Sequence, residues 1–122
     1  MRQNYTPHED REQEAVIQWA FYEAGRLPGV DLIYAIPNGG SRNKIEAAHL
    51  KRQGVKAGVP DLFLPVARQG KHGLYIEMKR REGGRLSDYQ KDWIEKLKAQ
   101  GYAVAVCHRF DEAVEIIENY YI

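Results

Sequence analysis

The sequence predicts an α/β domain in which a mixed sheet is flanked by helices, in the order α-β-α-β-β-α-β-α. Three observations support this. Apolar residues recur at helical spacing in several segments. Short runs rich in branched and aromatic residues are bounded by Gly or Pro turns. Two of these runs are joined by a loop that is too short for a crossover. The length, 122 residues, predicts a single domain over residues 1–122.

The N-terminal third predicts a helix, a strand and a second, shorter helix. The first helix begins at Thr6 or Pro7 and ends at Gly25. Its apolar stripe consists of Val16, Ile17, Ala20 and Phe21, with Trp19 beside it. Residues 32–36 predict a strand that stops at a Pro-Asn-Gly-Gly turn, and a short helix then ends at Gly54.

The remaining elements are a hairpin, a helix, a strand and a last helix. Strands over residues 61–67 and 74–79 are joined by a Gly-containing turn, which favours antiparallel pairing. Ser87 caps the third helix. Residues 102–107 are apolar on both faces, so we expect a central strand there, and a helix over residues 111–121 follows.

Composition fits a soluble protein and gives a weak indication of the partner. Hydrophobic residues make up 43% and charged residues 29%, and the net charge is only +1. The stretches 42–56 and 68–85 are nevertheless basic while acids concentrate towards both ends, which suits one face that meets a polyanion. No apolar run is long enough for a membrane span, and residues 1–5 lack the apolar core of a secretion signal. The single cysteine, Cys107, indicates a core residue and a reducing, cytoplasmic location.

Two acids and a lysine fall on the two strands of the predicted hairpin. Glu77 and Lys79 are two residues apart, so they share one face of a strand while Ile76 and Met78 share the other. Buried charges are costly unless they pair or bind a metal. Asp61 and Glu77 can offer oxygens to Mg²⁺ from neighbouring strands, with the Met78 carbonyl as a third ligand. Lys79 would orient the attacking water or offset phosphate charge. The pattern predicts hydrolysis of a phosphodiester.

The sequence Pro60-Asp61 followed by Glu77-Met78-Lys79 resembles the PD-(D/E)xK nuclease signature. The flanks resemble the VRR-NUC branch of that superfamily. The segments that carry this resemblance are Gly54–Asp61, Tyr75–Lys79, Leu86–Trp93, the turn Pro37-Asn38-Gly39, Glu9-x-x-x-Gln13 and Trp19. The resemblance covers nearly the whole chain. It implies a restriction-endonuclease-like core, dependence on Mg²⁺ or Mn²⁺, and cleavage of structured DNA. Small stand-alone members resemble Holliday-junction resolvases and are expected to be homodimers.

The resemblance also assigns roles to individual residues. Asp61 and Glu77 become metal ligands, and Lys79 becomes the catalytic lysine. Gln90 matches the family's glutamine in the helix after the motif, so we expect it to face the active site or the DNA backbone. Candidate DNA contacts, from the Asn-Gly turn and the basic stretches, are Asn38, Gly39, Ser41, Arg42, Lys56, Arg80 and Arg81.

The resemblance further implies an acid contributed by the first helix. Glu9 and Gln13 are four residues apart and share a face with Val16 and Ala20, so they are expected to look inward. Glu12 faces nearly the same way. We favour Glu9 as the additional catalytic acid and keep Glu12 as its rival.

The leading hypothesis is a Mg²⁺-dependent endonuclease for branched DNA. Flap cutting and nicking are close variants, because the same three residues would cut any phosphodiester. A hypothesis from another class is a DNA-binding module without catalysis, and the complete set Asp61, Glu77 and Lys79 argues against it. A third is a protein-interaction subunit that uses Tyr120, Tyr121 and the acidic last helix.

Overall fold

In a computed structural model, the described residues of the chain form a four-stranded mixed sheet flanked by helices. The structure describes residues 7–38, 43–79 and 84–122, and in the first helix it describes the side chains from Asp10 onward. The predicted fold class and element order are confirmed, with one short 3-10 turn added at Val30–Leu32.

The helices and strands alternate as the sequence predicts. Their bounds, in chain order, are α1 (Pro7–Tyr22), β1 (Tyr34–Ala35), α2 (Lys44–Arg52), β2 (Leu62–Leu64), β3 (Leu74–Met78), α3 (Asp88–Ala99), β4 (Ala103–Cys107) and α4 (Phe110–Tyr121). The first two strands are shorter than predicted, because pairing extends over only two residues of β1 and three of β2.

The sheet order is β1-β2-β3-β4, with antiparallel pairing except between β3 and β4, which are parallel. The predicted hairpin is present, with Leu62 opposite Ile76. The expectation that residues 102–107 form a central strand is wrong, because β4 is an edge strand of the sheet that the described residues form. Its apolar character has another cause: α3 and α4 both pack against it.

One face of the sheet holds the hydrophobic core. The strand residues on this face are Leu62, Leu64, Leu74, Ile76 and Met78, each at most 2% exposed. Val16 and Ala20 of α1 pack in the same cluster, together with residues of α4. The predicted stripe of α1 is wrong at Ile17 and Phe21, which are 36% and 69% exposed, because only a narrow strip of the helix meets the sheet.

The C-terminal residues pack on their own domain. The hydroxyl of Tyr120 donates to the carbonyl of Val66 at 2.6 Å, and that of Tyr121 donates to the carbonyl of Pro28 at 2.8 Å. These bonds weaken the hypothesis of a tail that serves another protein. Cys107 is buried, and burial raises the pKa of its thiol to about 12, so the thiol is inert. None of the helices among the described residues has the length and apolarity that a bilayer crossing requires.

Candidate active site

Asp61 lies where the pairing of β2 with β3 ends. Asp61 directly precedes Leu62, and its carboxylate Oδ2 accepts the backbone N–H of Met78 at 2.8 Å. Its own carbonyl accepts the N–H of Ile36 at 2.8 Å. The carboxylate of Asp61 therefore accepts a backbone hydrogen bond of the sheet in place of a carbonyl group. This bond holds it against the strand that carries Glu77.

Glu77 lies on the face of β3 opposite the core and is only 3% exposed. Its Oε2 accepts a hydrogen bond of 2.8 Å from Nε2 of Gln90. The Asp61 and Glu77 carboxyl groups also lie close enough for one of them, when protonated, to donate a hydrogen bond to the other. Since a buried carboxylate is costly unless hydrogen-bonded or paired, this position is built around polar partners.

The environment raises the pKa of Asp61 above its ordinary value. Burial is the main cause, because it penalises the charged carboxylate. The Met78 N–H, the hydrogen bond with Glu77 and the charge of Lys79 act in the opposite direction and do not cancel the effect of burial. A buried carboxyl group, Glu77, and a partly buried one, Asp61, whose pKa is raised, form a site that a cation would stabilise in its charged form.

Gln90 joins Glu77 of β3 to Lys79, which directly follows that strand. Its Nε2 donates to Glu77, and its Oε1 accepts from Nζ of Lys79 at 3.4 Å. The same oxygen accepts the backbone N–H of Ser87 at 2.8 Å, and the Ser87 hydroxyl accepts the Gln90 N–H at 3.1 Å. This pair of bonds is a capping box at the start of α3. Helix capping thus fixes the side chain that orients Glu77 and Lys79.

These residues surround a polar cavity of about 270 Å³. Its described lining consists of Asp10, Gln13, Asn38, Asp61, Glu77, Met78, Lys79 and Gln90. The sequence predicts five of these as catalytic or metal-binding residues and a sixth, Asn38, as a DNA contact. The structure therefore brings Asp61, Glu77 and Lys79 together with the predicted glutamine.

The donor set fits a hard divalent cation. Asp61 and Glu77 supply carboxylate oxygens from adjacent strands, and Met78 lines the same cavity. Hard oxygen donors suit Mg²⁺ or Mn²⁺, and Mg²⁺ commonly binds through only one or two carboxylates and keeps several waters. Within the described part of the chain, no three His, Cys, Asp or Glu side chains converge into a fuller ligand set.

The role of Glu9 as the acid contributed by the first helix stays a prediction. Glu9 lies in α1, but its side chain is outside the described residues. Glu12, its rival, accepts the backbone N–H of Phe110 at 2.5 Å. It caps α4 from a neighbouring helix, where the N-cap Arg109 makes no side-chain capping bond. The α1 residues that line the cavity are Asp10 and Gln13.

Asp10 lines the cavity but is not among the site residues predicted from the sequence. A signal was available, because Asp10 precedes Gln13 by three residues and so lies near it on the helix surface. The same holds for the capping box, which the Ser-x-x-Gln pattern at Ser87 and Gln90 indicates.

The predicted DNA contacts lie in different parts of the chain. Asn38 is exposed at the cavity. Lys56 is also exposed but lines a second cavity. Five further candidates, Gly39, Ser41, Arg42, Arg80 and Arg81, lie outside the described residues.

Comparison with known proteins gives consistent matches. The family model described as "VRR-NUC domain" matches residues 4–111. A solved structure titled "VRR_NUC domain protein" is 34% identical with a TM-score of 0.77, over 95% of this chain and 89% of that chain. Another, titled "VRR_NUC domain", is 22% identical with a TM-score of 0.62, over 95% of this chain and 100% of that one, and shows likeness of fold alone. No curated protein matches.

Proposed function

The chain belongs to the VRR-NUC family, whose domains are generally nuclease domains, and from this premise we propose that it is a divalent-metal-dependent, structure-specific endodeoxyribonuclease. The preferred substrate is a Holliday junction or a related branched DNA. The observation that carries the proposal is the proximity of the partly buried Asp61 carboxyl group to the buried Glu77 carboxyl group, in one cavity with Lys79.

Asp61 and Glu77 would hold Mg²⁺ or Mn²⁺, with the Met78 carbonyl as a further oxygen. The bound cation would supply charge neutralisation at the phosphate and a more acidic water. Lys79, in the same cavity, offsets phosphate charge and orients the attacking water. In the reaction the water oxygen bonds to phosphorus and gives up a proton to solvent, the bond from phosphorus to the bridging oxygen breaks, and that leaving oxygen takes up a proton from solvent. Gln90 keeps Glu77 and Lys79 in place.

A substrate panel tests the activity. Labelled four-way junctions, flaps, splayed arms and linear duplexes are incubated with the protein in Mg²⁺ or Mn²⁺, and the products are separated on denaturing gels. We expect cleavage of the junction that depends on the cation and is lost in Asp61→Asn and Glu77→Gln. Cleavage restricted to flaps or single nicks would replace the junction proposal with that specificity. Cleavage of no substrate, with DNA binding intact, would favour the non-catalytic module.

Two further variants identify the acid contributed by α1. Glu9→Gln and Asp10→Asn are compared in the same assay, because the sequence favours Glu9 and the cavity lining contains Asp10. A large loss in only one of them assigns the role. Glu12→Gln serves as the control, because the contact of Glu12 with Phe110 predicts a loss of stability rather than of cleavage.

We also propose that the enzyme acts as a homodimer. Symmetric cuts in two strands of a junction require two active sites, and closed two-fold dimers are the commonest assembly. Light scattering at concentrations that support junction cleavage should give the mass of two chains. A single-chain mass under those conditions would contradict the proposal.

A further inference from the structure

A second cavity is lined by residues that neighbour active-site residues along the chain. Its volume is about 560 Å³, within the range of small-molecule sites in proteins. It is enclosed by α2, by the segment that follows α2, and by the first turns of α3. It shares no described lining residue with the site cavity, but the two are neighbours through the chain. Tyr89 of this cavity directly precedes Gln90, and the segment that follows α2 runs on to Asp61.

The walls of this second cavity combine two aromatic rings with two cations. Tyr89 and Trp93 are four residues apart in α3 and so lie on one face of the helix. Lys51 and Lys56 are both exposed at its border, and the remaining lining is Val55 and alanines. No carboxylate occurs among the described lining residues. Tyr89 is 70% exposed, so its ring is available to a ligand rather than used in the core.

A close backbone contact fixes the relative position of the two walls. A Cβ on Gly58 would lie 2.8 Å from the Cβ and the carbonyl carbon of Tyr89, closer than such atoms approach. Gly58 also has φ +93°, a conformation that favours glycine. The segment that leads to Asp61 is therefore packed directly against the residue that carries the exposed ring.

We propose that this second cavity binds an unpaired nucleobase of the strand whose phosphate occupies the active site. This rests on the proposed nuclease function and adds a substrate requirement to it. The base stacks on Tyr89 and Trp93, since aromatic rings are sequence-tolerant stacking partners for unpaired bases. The phosphates beside it contact Lys51 and Lys56. The positive charge of the border favours a polyanion over a neutral or basic peptide.

The test measures base binding without cleavage. A single-stranded oligonucleotide that contains one 2-aminopurine is titrated with the protein in EDTA, because stacking on an aromatic ring quenches this fluorophore. The wild-type protein should quench it, and Tyr89→Ala, which leaves only Trp93 as a stacking partner, should reduce quenching and weaken binding about 5- to 100-fold. Tyr89→Phe keeps the ring and should retain both. Tyr22→Ala is the matched control, because Tyr22 is 72% exposed and lies in α1.

An abasic oligonucleotide gives an independent measurement. The wild-type protein should bind it no better than Tyr89→Ala binds the intact strand. Lys51→Ala and Lys56→Ala should each reduce the slope of log affinity against log salt by about 0.7. Equal affinity for the abasic and intact strands, or unchanged quenching in Tyr89→Ala, would overturn the proposal and favour a protein ligand for the cavity.

The experiments distinguish a wrong base-binding site from a wrong nuclease function. If Tyr89→Ala cleaves like the wild type while Glu77→Gln is inactive, the base site is wrong and the nuclease stands. If the wild type quenches the fluorophore and cleaves no DNA, the nuclease proposal is wrong and the cavity remains a base-binding site.

Discussion

Ile76 and Glu77 are consecutive residues of β3 and both are almost fully buried, at 0% and 3% exposure. Ile76 faces the core formed with α1 and α4. Glu77 faces the opposite way, towards Asp61 and Gln90. The first residue stabilises the fold by removing apolar surface from water, whereas the second must be compensated for losing its own hydration.

The residues that stabilise the fold and those that form the site therefore occupy opposite faces of β3. The core face tolerates little change in volume because interiors are close-packed. The site face carries two neighbouring carboxyl groups, and ionising them away from water and beside each other is costly, so replacing one by an amide should cost little stability. Each face should therefore be alterable without destroying the role of the other.

The largest effect that the comparison predicts is in Glu77→Gln. Removing a metal ligand forfeits several kcal/mol of transition-state stabilisation, so junction cleavage should fall roughly a thousand-fold or more. The free energy of unfolding should change little. Gel assays and urea unfolding check both quantities. A variant that cleaves at nearly the wild-type rate would contradict the role of Glu77.

On the other face, Ile76→Ala should lower the free energy of unfolding by about 2–5 kcal/mol, through lost burial and a residual cavity. At low temperature the folded fraction should still bind Mn²⁺, since the side chain points away from the site. Urea unfolding and calorimetry measure the two effects. Ile76→Val, which should cost about 0.5–1.5 kcal/mol, provides a graded control. Loss of Mn²⁺ binding in folded Ile76→Val would show that the two faces are not separable.

Gln90→Ala should reduce kcat/KM about 10- to 100-fold, because groups that orient metal ligands typically contribute that much. The variant also loses the capping box, so a second variant is needed. Ser87→Ala removes the serine's part of the cap and keeps the glutamine side chain at the site. It should lose about 0.5–2 kcal/mol of stability and much less activity than Gln90→Ala. Equal losses of activity in both would mean that Gln90 acts only through the helix.

The smallest effect is a pH dependence of stability. The folded-state pKa of Asp61 lies above its ordinary value of 3.8, so the folded protein holds this proton more tightly than the unfolded chain. The free energy of unfolding should therefore fall as pH rises from 3.8 to the raised pKa. Asp61→Asn lacks this group and should gain stability relative to the wild type across that window. Urea unfolding in EDTA at several pH values measures the free energy of unfolding of both proteins. The stability of Asp61→Asn relative to the wild type should rise with pH across this window, and a relative stability that falls would contradict the prediction.

Much of this arrangement follows from local sequence. The spacing of two places Glu77 and Lys79 on one face, and the apolar alternation places Ile76 and Met78 on the other. The hairpin turn brings Asp61 to the neighbouring strand.

Other features depend on tertiary contacts that sequence periodicity does not encode. Glu12 and Asp10 are both acids of α1, but only packing against α4 decides that Glu12 caps Phe110 while Asp10 lines the cavity. The apolar run of β4 indicates two covered faces and not a central place in the sheet, so its position was predicted wrongly. Exposure of Tyr89 likewise depends on how closely the chain at Gly58 approaches α3.

Asp61 and Glu77 together should bind a divalent cation, while the opposite face of β3 packs in the core. Calorimetric titration of the folded protein with Mn²⁺, in the absence of DNA, tests this most directly. We expect binding by the wild type and by Ile76→Val, and loss of that binding in Asp61→Asn and in Glu77→Gln. Unchanged Mn²⁺ affinity in Glu77→Gln would contradict it.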